Sequence, residues 1–336
     1  MKAFIRADAS VEIGMGHRVR CQALIHAFQA LGWHCEFVAH RRYAELSDVS
    51  DRLIDSEADF LPLAEQADLV VLDHYGYQAS DINRLYQHQK NLLVLDDMND
   101  RGDFSATWVL NPLNEIYASS VLNPLTGSRY ALLRPYFPHA LKTQKKENHR
   151  PHKLLITLGG TDPLALTLPI LQSLLYSGFP RENILVMLGK NAVNANSVMT
   201  FCQQENIEIE RDVTDVTPLM RCAKIAVSAA GGTLFELACL GVPTVFAQVA
   251  DNQTRSLEQH VPLDWCRTVR FDGVTPDIQK ERVTLLVKQL NSLWLDEMWQ
   301  EKARKTAQNL VDDQGANRVA KTIHTHLEKI RSIDPN

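Results

Sequence analysis

The sequence predicts an α/β protein made of two similar halves, each a parallel sheet flanked by helices. Three observations carry this reading. Short apolar runs of strand length alternate with helical stretches along most of the chain, the pattern of βαβ units. A polar, charged stretch from Leu141 to His152, nearly free of apolar residues, interrupts the alternation near the middle. Beyond it the alternation restarts, and each half opens with a strand that runs into a glycine turn. A length of 336 residues also suits roughly two domains of about 150 residues each. The expected division is a Rossmann-like N-terminal domain over 1–143 and a second Rossmann-like domain over 152–330.

Taken in order, the first half offers strands at Ala3–Arg6, His34–Ala39, Leu69–Asp73, Leu92–Asp96 and Trp108–Leu110. Helices are expected at Arg18–Leu31 and Asp81–Lys90; in the first, Leu24, Ala27, Phe28 and Leu31 form an apolar stripe and Gly32 supplies the stop. The second half offers strands at Leu154–Leu158, Ile184–Leu188, Ile207–Glu210, Ile225–Ser228 and Thr244–Ala247. From Val274 on the chain reads as helical, with Val283, Leu286, Leu290 and Leu293 spaced for one face. Ligands of open α/β sheets bind at the carboxyl ends of the strands, so the two parallel sheets are expected to face each other across a cleft.

Composition narrows the function. Hydrophobic residues make up 45% and charged residues 22%, an ordinary globular balance. The net charge of −5, without a basic block, argues against nucleic acid as a partner. No run approaches the roughly 20 apolar residues that span a bilayer, and residues 1–8 contain no signal-peptide core, so a cytoplasmic location without membrane insertion is expected. The six cysteines are widely spaced and read as reduced, buried small hydrophobes. His324 and His326 lie two apart on an expected helix and point to different faces, so no metal site is expected. Nothing in the sequence identifies a protein partner.

The stretch Gly14-Met-Gly16-His17 is the most informative. A Gly-x-Gly turn between strand and helix lets backbone approach a ligand closely, and the helix N-terminus presents unpaired N–H groups to it. A histidine there feels the positive end of the helix dipole, which favours the neutral imidazole that a general base needs. His17 reads equally as a residue that merely caps the turn. Asp73-His74-Tyr75 closes a strand at the same edge, so Asp73, His74 and Tyr75 are candidates to orient or stabilise a charge near His17 or to cap loops, while Asp96 and Asp97 read as a turn start.

The second half carries three turns of interest. Leu158-Gly159-Gly160-Thr161-Asp162-Pro163 can offer N–H groups and the Thr161 hydroxyl to a phosphate. In the run from Ser228 to Glu236 a strand delivers Ser228 to the cleft rim, Gly231 and Gly232 permit a tight turn, and Thr233 begins a short helix. Glu236 then sits one turn in, placed for the hydroxyls of a ribose. Asn252 and Gln253, at the end of the next strand, could read a sugar's substituents or cap the following helix.

Taken together, these motifs resemble the nucleotide-sugar hydrolases of pseudaminic acid biosynthesis. The series runs from Ile5-Arg6-Ala7-Asp8 and Ile13-Gly-x-Gly-His17-x-x-Arg20-Cys21 through Asp73-His74-Tyr75, Asp96-Asp97 and Tyr130-Ala-Leu-Leu-Arg134-Pro. It continues through Gly159-Gly-Thr-Asp162-Pro and Ser228-Ala-x-Gly-Gly-Thr-x-x-Glu236 to Ala250-Asp-Asn252-Gln253, and so covers roughly residues 3–260. That family is similar to the GT-B glycosyltransferases, which implies a GT-B-like fold. The resemblance implies cleavage of UDP-2,4-diacetamido-2,4,6-trideoxy-β-L-altropyranose by water, with inversion and without metal or cofactor, in a route to flagellin or surface-glycan glycosylation. By it, His17 is catalytic, the residues from Ser228 to Glu236 hold UDP, Asn252 and Gln253 approach the sugar, and Tyr75 lies near sugar or water. One departure is that Leu164-Ala165-Leu166 follows Asp162-Pro163 where the family carries an asparagine, which bears on the contacts to the diphosphate. Two alternatives stay open: a GT-B glycosyltransferase with a UDP-HexNAc donor, and a non-catalytic nucleotide-sugar-binding protein.

Overall fold

The computed structural model describes residues 1–9, 16–144 and 152–333. Gly14 and most of the polar stretch between Leu141 and His152 lie outside the described residues. The chain forms two compact units, Met1–Pro135 joined by the chain from Asp313 on, and Tyr136–Asp312.

The first unit is built on strands β1 (Lys2–Ala7), β2 (His34–His40), β3 (Arg52–Ile54), β4 (Leu69–Asp73), β5 (Leu92–Leu95), β6 (Ala106–Asn111) and β7 (Val121–Thr126). All neighbours run parallel, in the order β3-β2-β1-β4-β5-β6-β7. Side chains alternate across this sheet with period two. Ala3, Ile5, Leu69, Val71, Leu93 and Leu95 face one side, where they pack with Leu24 and Phe28 of the first helix (Gly16–Gln29). Phe4, Val70, Leu72, Leu92 and Val94 face the other, against Phe60, Ile82 and Leu85. Helices on both faces bury the central strands, as a parallel sheet requires.

The last helix (Gly315–Ile333) lies on the same face as the first helix, with Val319, Ala320, Ile323 and Leu327 in that core. The sequence division had left this segment with the second half. Its apolar stripe is instead satisfied by the first sheet, and His324 accepts a hydrogen bond from Trp33 Nε1 (3.1 Å) while His326 sits edge-on to Trp108.

The second unit repeats the plan with β8 (Lys153–Thr157), β9 (Ile184–Leu188), β10 (Glu208–Arg211), β11 (Ala223–Ala229), β12 (Thr244–Gln248) and β13 (Cys266–Arg270), all parallel in the order β10-β9-β8-β11-β12-β13. In each sheet the first strand lies inside and the winding reverses beside it, between β1 and β4 and between β8 and β11. A ligand crevice forms outside the carboxyl ends of the strands at such a reversal. Strands β3, β7 and β13 escaped the sequence reading. All three are edge strands, paired on one side only: β3 has three residues, β7 carries Pro124, and β13 is only partly buried. All six cysteines are free thiols. Among the described residues no helix is long and apolar enough to cross a membrane.

Candidate active site at the sheet reversals

The alternation that buries the first sheet also builds its site. Asp73, the last residue of β4, has the parity of Leu69 and Val71, so its carboxylate meets the first helix. His17 starts that helix, and Arg20 and Cys21 follow three and four positions later on the same face. His17 Nδ1 lies 2.5 Å from Asp73 Oδ1. Arg20 donates to both Asp73 oxygens (2.6 and 2.5 Å) and to both oxygens of Asp97 (2.8 and 2.7 Å). The Cys21 thiol donates to Asp73 as well, at 3.4 Å.

Tyr75 completes the cluster. Its hydroxyl donates to Asp97 at 2.7 Å, and its ring stands edge-on to His17 with centroids 4.4 Å apart. Tyr75 is exposed, whereas His17 and Asp73 are buried. Burial by itself would raise the Asp73 carboxyl, but Arg20 and His17 hold it far below the ordinary carboxylate range. Asp73 is therefore an anion throughout the physiological range. Burial, and the carboxylate of Asp97, push the Tyr75 phenol upward, so it remains a proton donor. In a neutral imidazole, an anion at Nδ1 places the one ring proton on that nitrogen and leaves Nε2 as the acceptor.

A second network lies on the opposite face of the same strand ends. Arg6 is fully buried and makes paired contacts to Asp8 (2.7 and 2.8 Å) and to Glu57 (3.0 and 2.5 Å). His74 Nε2 donates to Asp8 Oδ2 at 3.0 Å while its Nδ1 accepts from the Gly76 N–H at 2.9 Å, and Tyr77 donates to Glu57. Asp8, Glu57 and His74 bring ligand atoms within 4.8 Å of one another, a spacing a cation could use. Arg6 already supplies the positive charge there, and both nitrogens of His74 are engaged, so the donor set is that of an internal salt-bridge cluster.

In the second unit the sequence-predicted residues fall on the loops after β8, β11 and β12. Gly160 and Thr161 follow β8, where Asp162 is buried and caps the helix Thr167–Tyr176 through Leu166 N (2.9 Å), Thr167 N (3.0 Å) and Thr167 Oγ1 (2.6 Å). Gly231 and Gly232 follow β11, Thr233 opens the helix Thr233–Leu240, and Glu236 is buried one turn in. A Cβ placed on Gly160, Gly231 or Gly232 would meet nothing within 4 Å, and none of the three has positive φ. Neither the neighbouring described atoms nor the backbone conformation calls for glycine at these positions.

Two expectations change. Ser228 does not reach a rim: it is fully buried and its hydroxyl donates to the Ala229 carbonyl at 3.1 Å, because the last turn of β11 lies within the sheet core. Gln253 is also buried, and its side-chain oxygen accepts from Val249 N at 3.0 Å, holding the loop, while Asn252 is exposed. Arg20, Asp97, Arg6 and Glu57 were given no role by the sequence reading. Arg20 had a signal available, its spacing of three from His17; Glu57 had none, since it meets Arg6 across 51 residues of chain.

No family model matches the chain. It is 26% identical over 271 residues, 73% of its length, to an uncharacterized protein of Methanocaldococcus jannaschii. Over 310 residues, 88% of the chain, it is 24% identical to the Helicobacter pylori protein named pseudaminic acid cytidylyltransferase and UDP-2,4-diacetamido-2,4,6-trideoxy-β-L-altropyranose hydrolase. A Campylobacter jejuni protein named as that hydrolase alone is 24% identical over 248 residues, 68% of the chain and 85% of the relative. The chain spans about half the length of the first two relatives, 55% and 52%. Among solved structures, Acinetobacter baumannii MurG superposes with a TM-score of 0.64 at 15% identity, covering 96% of this chain and 99% of that one. WaaG, a glycosyltransferase involved in lipopolysaccharide biosynthesis, gives 0.54 at 14% identity over 96% of this chain and 99% of its own. The fold is of the GT-B type.

Proposed function

We propose that this protein is an inverting UDP-sugar hydrolase that cleaves UDP-2,4-diacetamido-2,4,6-trideoxy-β-L-altropyranose to UDP and the free sugar. The observation that carries the reading is the 2.5 Å contact between His17 and Asp73 at the reversal of the first sheet. Water is held by His17 Nε2, its oxygen attacks the anomeric carbon from the face opposite UDP, and His17 takes its proton. The anomeric C–O bond breaks, its electron pair leaves with UDP, and the configuration inverts. The exposed phenol of Tyr75 stands beside His17 and, with its proton given to Asp97, its oxygen can accept from the sugar or the water.

UDP would be held by the second unit. Gly160, Gly231 and Gly232 have no steric reason inside the described protein to be glycine, and a diphosphate lying against their backbone would supply one. N–H groups there, and at the start of the helix Thr233–Leu240, would stabilise the charge that develops on the leaving group. Glu236 would accept from ribose hydroxyls, and Asn252, exposed on the loop after β12, would read an acetamido group. The names of the H. pylori and C. jejuni relatives support this substrate. The chemistry needs a placed base, a good leaving group and N–H donors, all of which the chain's own residues can provide.

The test is a panel of UDP-sugars incubated in ¹⁸O-water, with UDP and the sugar followed by NMR and mass spectrometry. The expected result is ¹⁸O in the sugar, none in UDP, and an inverted anomer formed first. Retention, or label in UDP, would overturn direct attack at carbon. The likeness to WaaG favours a second reading in which a sugar hydroxyl replaces water. UDP release that appears only after an acceptor is added would decide for that transferase.

A further inference from the structure

We infer that Arg20 is a positioning residue for His17: by clamping Asp73 it fixes the carboxylate that holds Nδ1, and so the ring orientation and tautomer that leave Nε2 as the acceptor. This rests on reading His17 as a proton acceptor. A carboxylate held by an imidazole alone can turn about its own bond and let the ring turn with it, whereas a partner that grips both oxygens fixes the two together. Here the carboxylate is shared. Arg20 donates through two nitrogens to Asp73 and comes within 3.3 Å of His17 Nδ1. The cation thus stands against the same ring edge as the anion.

The clamp is itself anchored. Arg20 Nη1 is held by both oxygens of Asp97, and Asp97 accepts from Tyr75. One guanidinium therefore connects the residue that orients the base with the phenol that stands over it. Among the described residues, the charged and titratable groups around His17 are Asp73 from the end of β4, Tyr75 from the loop after it, Arg20 from the helix and, through Arg20 and Tyr75, Asp97 from the loop after β5. Cys21 reaches His17 only through Asp73. Arg18, the next residue of the helix, is spent on Asp48 and Asp51 on another face.

The planar fork matters as well as the charge. A lysine at position 20 would keep a cation beside the ring but could not grip two carboxylates in two planes. Arg20→Met and Arg20→Lys consequently separate the two roles, and Arg20→Lys also answers if Arg20→Met fails to fold.

The decisive readout is the ¹⁵N–¹H spectrum of the His17 ring in the free protein, which needs no substrate. In the unaltered protein near neutral pH one ring nitrogen, Nδ1, should carry a proton. Arg20→Met should lose that preference and show a mixture of the Nδ1–H and Nε2–H forms at the same pH. Arg20→Lys should keep a single proton, with its Nδ1 signal shifted or broadened. For UDP release, Arg20→Met should lower kcat with KM little changed. The loss should be part of the roughly 10²–10⁴-fold that a general base contributes. Arg20→Lys should lower kcat by less. Unchanged His17 spectra in both folded variants would overturn the inference. Changed spectra in a protein that hydrolyses no UDP-sugar would sustain it and remove the proposed activity.

Discussion

His17 Nδ1 and Asp73 Oδ1 are 2.5 Å apart because two periodicities converge: Asp73 closes the central strand β4 on the face that carries the first helix, and His17 begins that helix. The contact aims the other ring nitrogen outward. His17→Asn should lower UDP release by roughly 10²–10⁴-fold, the usual contribution of a placed base. Asp73→Asn should cost a similar factor, since an amide neither demands the Nδ1–H tautomer nor balances Arg20. Calorimetry should show UDP binding unchanged in both, because neither residue belongs to the unit proposed to hold it. UDP release that persists in His17→Asn would remove His17 from the mechanism.

Gly189, just after β9, supports the glycine turn after β8. A Cβ at this position would lie 2.3 Å from the Gly160 carbonyl oxygen and 2.5 Å from that of Gly159. The same loop holds the turn through Asn191 N to Gly160 O (3.1 Å) and Val193 N to Thr161 O (2.9 Å). Gly189→Ala must therefore displace backbone, at about 1–3 kcal/mol. Urea unfolding should show that loss, and the KM for the UDP-sugar should rise while kcat changes less. An alanine variant with unaltered stability would mean that the turn moves freely.

Much of this was legible in the sequence. The strand–turn–helix alternation placed ten strands, and the motifs at their ends fell where each sheet reverses. The same alternation contained more than was taken from it. Leu93 and Leu95 face the first helix, so Asp97 shares their side and Asp96 does not; period two alone assigns Asp97, and not Asp96, to Arg20. Three features were not legible. The edge strands β3, β7 and β13 have too little apolar pattern, and Glu57 reaches Arg6 only through tertiary folding. The last helix carries an apolar stripe whose sheet cannot be read from its own residues.

Gly315 fixes the last helix on the first unit. It is buried at the helix start, and a Cβ there would lie 2.0 Å from the Ala131 carbonyl oxygen and 2.9 Å from its carbon. Arg318, one turn later, donates to the Arg129 carbonyl, so the helix is tied to the segment it presses against. Backbone on both sides leaves little room for relief. Gly315→Ala should cost about 1–3 kcal/mol and speed amide exchange in Val319–Leu327 before the rest of the first unit. Exchange that rises uniformly would show that the helix does not loosen on its own.

His260 gives the second unit a dependence on pH. It is buried, accepts from Trp265 Nε1 at 3.2 Å and lies edge-on to Phe235, with ring centroids 5.6 Å apart. Burial pushes its pKa down from 6.5 to about 4. The unfolded chain therefore binds a proton near pH 6.5 that the folded chain refuses until about pH 4. Because the unfolded state holds more protons across that window, stability is intact above it and falls as the pH falls through it. The ceiling on this loss is roughly 3 kcal/mol, from about 1.4 kcal/mol per pKa unit. Urea midpoints followed by tryptophan fluorescence from pH 7.5 to 4.5 should decline. In His260→Phe the decline should be shallower, even though Trp265 loses its acceptor and the variant is less stable at pH 7.5. Equal slopes in the two proteins would assign the acid sensitivity to other groups.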